Sequence, residues 1–106
     1  MADFPDIRIE VLVDSPLVPR ITAIVEAQGI VTYTLLTTLG GQSAQGRWRR
    51  DEVTGTTAKQ MLVVVVPEAE SERLLAALAP VVASYSLDVV ATPARRLVIG
   101  PRSAAS

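Results

Sequence analysis

The sequence predicts an α+β domain with four strands and two helices in the order β-α-β-β-α-β. Three observations predict it. Ile7, Ile9, Val11 and Val13 alternate with other residues, which is the period of a half-buried strand. Leu17, Ile21, Ile24 and Val25 then recur at helical spacing behind Pro16. The same strand-then-helix order returns at Lys59 to Val66, followed by Leu74, Leu75, Leu78, Val81, Val82 and Tyr85.

In the first strand Arg8 and Glu10 face away from the alternating apolar set, and Leu12 predicts that the second face is partly covered. Asp14 and Ser15 are candidate N-caps ahead of Pro16, and Pro19, though less comfortable there, can lie in the same first helical turn. Gly29 is a C-terminal stop. Ile30 to Leu39, rich in Val, Thr, Tyr and Leu, predicts the second strand. The apolar run from Lys59 to Val66 predicts a third strand buried on both faces and ended by Pro67. Glu68, Glu70 and Glu72 place negative charge at the start of the second helix, where the dipole favours it. Pro80 should kink or break that helix. Ser86 to Thr92 predicts the fourth strand, and a flexible tail runs from about residue 97 to 106. This order is the ferredoxin-like arrangement, with two helices on one face of a four-stranded antiparallel sheet. The other sheet face would be bare in a monomer, so the doubly apolar third strand predicts self-association.

Composition narrows the function classes. A chain of 106 residues is one domain, spanning residues 1–106. At 49% hydrophobic and 20% charged residues it is too apolar to be disordered. A net charge of -1 argues against a nucleic-acid partner. There is no Cys, hence no disulfide and no thiolate metal site, and no His, the commonest general base and metal ligand. No carboxylate pair stands out, and neither a P-loop nor a dinucleotide fingerprint is present. The reading is therefore a binding, sensing or assembly protein and not an enzyme. The apolar run from Met61 to Pro67 is far shorter than the ~20 residues of a membrane span. Met1 to Asp6 carries two acids and no base, unlike a secretory signal. A cytoplasmic protein is expected.

The segment from Gly40 to Thr57 is the most informative. Gly40-Gly41-Gln42-Ser43-Ala44-Gln45-Gly46 is small, polar and Gly-rich, and predicts no regular element. Loops longer than about 12–15 residues are uncommon and usually functional. Gly40 and Gly41 either let backbone N–H groups approach an anion or form a flexible loop base. Arg47, Arg49 and Arg50 surround Trp48. They either clamp a phosphate or carboxylate, with Trp48 anchoring a partner, or form a solvated loop tip beside Asp51 and Glu52. Lys59 either meets an anion at the loop base or is a strand-edge lysine that discourages pairing. Arg95 and Arg96 either close over a phosphate at a subunit boundary or solubilise the tail.

From Ile7 to Arg96 the layout resembles the PII signal-transduction superfamily. The resemblance rests on element order, Gly29-Ile30 before the second strand, Gly40-Gly41-Gln42 opening a long loop, and Lys59 at its return. It implies a homotrimer of ferredoxin-like subunits that binds an adenine nucleotide between subunits and signals through a T-loop, here about residues 40–57. It places Thr34 near the adenine, and Gly40, Gly41, Gln42, Arg95 and Arg96 near the phosphates. Lys59 falls near a small anionic effector, and Arg47, Trp48, Arg49 and Arg50 lie on the partner-binding loop. Two features depart from the family pattern. The phosphate-gripping Gly-Lys-rich segment after the second helix is replaced by Pro80-Val81-Val82-Ala83-Ser84-Tyr85-Ser86, which favours AMP or ADP over a triphosphate. The loop contains no Tyr, which argues against tyrosine uridylylation. The nearest resemblance is to the carboxysome-associated PII group. That group implies AMP or ADP with bicarbonate, no tightly bound cofactor, a regulated transporter or carbon-fixation component, and a role in inorganic-carbon metabolism. The alternative is an assembly module without a small-molecule ligand.

Overall fold

The computed structural model describes residues 5–49 and 58–97. Strand β1 (Asp6–Asp14) leads through a 3-10 turn at Ser15–Leu17 into helix α1 (Val18–Ala27). Strand β2 (Thr34–Thr37) is followed by two short strands, β3 (Gly40–Ser43) and β4 (Gly46–Arg49). Strand β5 (Lys59–Pro67), helix α2 (Glu68–Tyr85) and strand β6 (Asp88–Ala94) complete the described chain. The main sheet has the order β2-β5-β1-β6 with every pair antiparallel, and β3 and β4 form a separate two-stranded sheet. The main sheet and its two helices have the ferredoxin-like order that the alternation predicts.

The core follows from the two long central strands. Ile9 pairs with Val64 and Val11 with Leu62, so one face presents a continuous aliphatic layer to the helices. Ile21 and Val25 of α1, and Leu74, Leu78 and Val81 of α2, close over it. No aromatic ring belongs to this cluster. Leu62 and Val64 are buried on the helix side, while on the opposite face Val63 is 9% exposed and Met61 and Val65 are half-buried, so the outer face of the apolar run is only partly covered within one chain. The outer face carries Leu12, Met61, Val65, Leu36 and Val90, with an Arg8–Glu10 ion pair of 2.9 Å among them.

Several elements differ from the sequence reading, each for a local reason. The second strand is confined to Thr34–Thr37, and Val31 is 89% exposed. Asp14 makes no side-chain cap, because its carboxylate is engaged by Lys59. Lys59 is not an edge residue, since β5 lies between β2 and β1. Helix α2 runs unbroken through Pro80, which sits on its exposed side. Pro93 lies inside β6 opposite Ile7, where an edge strand tolerates the missing N–H. Gly29, with φ of 81°, does stop α1, donating its N–H to the Glu26 carbonyl at 2.9 Å. The tail beyond Leu97 lies outside the described residues.

Candidate functional site

The Gly-rich segment does not form an irregular loop. Gly40–Ser43 and Gly46–Arg49 pair as an antiparallel hairpin, with Gly41 opposite Trp48 and Gln42 opposite Arg47. Strand alternation then sorts the basic cluster. Trp48 points inward and is only 7% exposed, while Arg47 and Arg49 on either side of it are exposed. Arg47 Nη2 donates to Gln42 Oε1 at 3.4 Å across the hairpin. Arg50, the fourth member of the predicted loop cluster, lies outside the described residues, as does the remainder of the segment to Thr57.

The inward face of the hairpin is fitted to one end of the main sheet. A Cβ on Gly41 would stand 2.5 Å from Trp48 Cη2 and 2.7 Å from Cζ2, so the indole occupies the space of the absent side chain. A Cβ on Gly40, which has φ of 154°, would meet the Trp48 carbonyl oxygen at 2.7 Å. Both glycines therefore serve close packing within the hairpin. Trp48 Nε1 donates to Thr38 Oγ1 at 3.0 Å, and that hydroxyl donates to the Lys59 carbonyl at 2.6 Å. Lys59 Nζ lies 5.4 Å from the centre of the Trp48 ring, a cation–π distance, and 2.5 Å from Asp14 Oδ1. Within the single chain Trp48 does not extend outward as a partner anchor would: the indole is docked on its own chain by Gly41, Thr38 and Lys59.

These contacts enclose a pocket of about 220 Å³ lined by Asp14, Lys59, Arg47, Trp48, Ser43, Gln45 and Gly46. Two cations and one carboxylate line it, so its ionisable groups carry a net positive charge. A second, shallower depression of about 540 Å³ lies on the hairpin at Leu39, Gly40, Gly41, Gln42, Arg47, Trp48 and Arg49. The chemistry suits a small anion near Lys59 and Arg47. No group of residues suited to hold a metal ion occurs among the described residues.

The other predicted site residues are not gathered here. Thr34 is exposed on β2 opposite Val63. Arg96 donates from Nη2 to the Val65 carbonyl. Val65 is six residues along β5 from Lys59, or about 20 Å at the rise of an extended strand. Arg95 and Arg96 therefore belong to the opposite end of the same subunit. Sequence reasoning missed Thr38, Asp14 as the Lys59 partner, and Gln45. The readable signal was the Arg-Trp-Arg alternation opposite Gly-Gly-Gln, which is a strand pattern. Away from the hairpin, Tyr33 donates its hydroxyl to Glu26 Oε2 at 2.6 Å, and this bond raises the Tyr33 pKa above the ordinary phenol value.

The family model for nitrogen regulatory protein P-II matches residues 7–92 of the sequence. No curated protein sequence matches. Among solved structures, the chain is similar to CPII, a nitrogen regulatory PII-like protein from Thiomonas intermedia K12, solved bound to ADP, AMP and bicarbonate. That match has a TM-score of 0.74 and 21% identity, covering 84% of this chain and 85% of that one. A PII-like signalling protein from Thermus thermophilus matches with a TM-score of 0.62 and 20% identity, covering 86% and 87% of the two chains. A DUF3240 family protein from Shewanella baltica matches with a TM-score of 0.70 and 16% identity, covering 95% of this chain and 100% of that one. At these identities the structural likeness establishes the shared fold.

Proposed function

The chain belongs to the nitrogen regulatory protein P-II family, and from that premise we propose that it is a regulatory sensor that binds AMP or ADP between copies of itself. The observation that carries this reading is the separation just described. The hairpin Gly40–Arg49 and the pair Arg95 and Arg96 lie at opposite ends of one subunit, about 20 Å apart along β5. A phosphate site that uses both sets needs a neighbouring copy to supply one of them. The apolar outer sheet face and the exposed Leu35 and Leu36 of β2 supply a surface for such a copy. A homotrimer with Thr34 near the base, and Gly41, Gln42 and an arginine near the phosphates, fits this reading. Only Ser86 and Leu87 separate α2 from β6, leaving no loop there to wrap a triphosphate.

The similar CPII structure was solved with ADP, AMP and bicarbonate. In this chain a bicarbonate-sized anion fits the charge of the pocket at Lys59 and Arg47. Ligand occupancy would then bias the T-loop, and through it a regulated partner in inorganic-carbon metabolism, such as a transporter or a carbon-fixation component. Any effect on the loop requires that the ligand bind one loop state better than the other.

Thermal unfolding with AMP, ADP, ATP or no nucleotide, each with and without bicarbonate, tests the reading. A ligand at about 100 times its dissociation constant adds roughly 2.7 kcal/mol, a shift of several degrees. The expected result is a shift with AMP or ADP that exceeds the ATP shift and deepens with bicarbonate. No shift with any nucleotide would overturn the sensor and favour an assembly module, which the apolar sheet face also suits.

A further inference from the structure

We infer that the β3–β4 hairpin is a strap held shut by Gln45, whose amide caps the C-terminal end of α2. The carbonyls of a final helical turn lack intrahelical donors. Helix α2 exits through Ser86 in the left-handed conformation, with φ of 52°. Gln45 Nε2 donates to the carbonyl oxygens of both Tyr85 and Ser86, at 3.1 Å each. The primary amide has two N–H donors, and the helix end offers two acceptors for them. The receptor also selects its occupant. The negative end of the α2 dipole, the two carbonyls and nearby Asp88 together favour a hydrogen-bond donor and disfavour an anion.

The strap is built to release. Among the described residues its two strands form a sheet of their own, with no ladder bonds to the main sheet, and an isolated two-stranded ribbon is marginal in water. It is fastened at the turn by the exposed Gln45 bonds and at its base by Trp48 against Thr38 and Lys59. Thr38 and Leu39, which lie outside any strand, connect it to β2. Opening breaks these fastenings and no strand pairing of the main sheet. It bares Trp48 and uncovers the Asp14–Lys59 pair. Gln45 lines the anion pocket at the hairpin turn and is thereby a gate residue for it.

Trp48 is the single tryptophan of the chain and reports the strap directly. The experiment is acrylamide quenching of Trp48, with hydrogen exchange of the hairpin amides, in the full chain without nucleotide. Its outcome is therefore separate from that of the nucleotide reading. Wild type should be protected from quenching. Gln45→Ala should lower the closed-to-open ratio on the order of tenfold, the scale of losing two modest hydrogen bonds. Quenching and exchange should rise while the far-ultraviolet spectrum stays unchanged. Gln45→Glu, ionised and able only to accept, should open the strap further than Gln45→Ala. Quenching and exchange in both variants equal to wild type would overturn the latch, as would a wild-type Trp48 already fully quenched.

Discussion

Gly41 and Trp48 act as one unit, because the indole fills the volume that any Cβ would take. Gly41→Ala should expel the ring, since the added atom would lie 2.5 Å from Cη2. Overpacking of this kind costs about 1–3 kcal/mol. Here the hairpin can relieve it by opening, so the expected sign is a red-shifted Trp48 emission with the main sheet intact. Emission identical to wild type would contradict the packing described. The same geometry means that weakened ligand binding after a Gly41 substitution would report on Trp48 as much as on a backbone contact. Asp14 and Lys59 form a second unit. Their 2.5 Å contact sits beneath the ring, so the carboxylate holds the ammonium at the pocket. None of these pairings is visible in local sequence, because each joins residues from different elements.

At the scale of elements, legibility tracked periodicity. β1 alternates, β5 is apolar throughout, and α1 and α2 repeat their apolar residues at helical spacing. All four therefore appear close to where the pattern puts them. The hairpin left only the Arg-Trp-Arg alternation to read, since Gly, Ser, Ala and Gln carry no hydrophobic period and Trp48 is its one buried side chain. Its order comes from contacts to Thr38, Lys59, Tyr85 and Ser86 on other parts of the chain. Pro80 misled in the opposite direction. It lies where its missing N–H is tolerated, on an exposed helix face. Pro80 should still weaken α2. Pro80→Ala restores a donor to the helix and should stabilise the protein by about 1–2 kcal/mol, after allowing for the freer unfolded chain. Calorimetric melting checks this, and an unchanged or lower midpoint would show that α2 carries no strain at this position.

On the scale of the whole molecule, one subunit is complete as a fold, and the proposed function has it supply only part of a nucleotide site. Its aliphatic core closes on the helix side of the sheet, while the outer face keeps Leu36, Met61, Val63 and Val90 together. The sequence foretold that uncovered face through the doubly apolar β5. It could not foretell that Arg96 would lie near Val65, far from Lys59, because only the antiparallel register fixes that distance. Leu36 is 47% exposed in the single chain, so Leu36→Asp should leave the subunit folded while placing a charge in the contact between copies. Calorimetric titration of ADP into wild type and Leu36→Asp, with the mass of each species measured in the same buffer, therefore tests the central claim most directly. The account predicts that wild type assembles and binds ADP, and that Leu36→Asp stays folded, loses assembly and loses ADP binding with it. A monomeric Leu36→Asp that binds ADP with wild-type affinity, or an assembled wild type that binds no ADP, would contradict it.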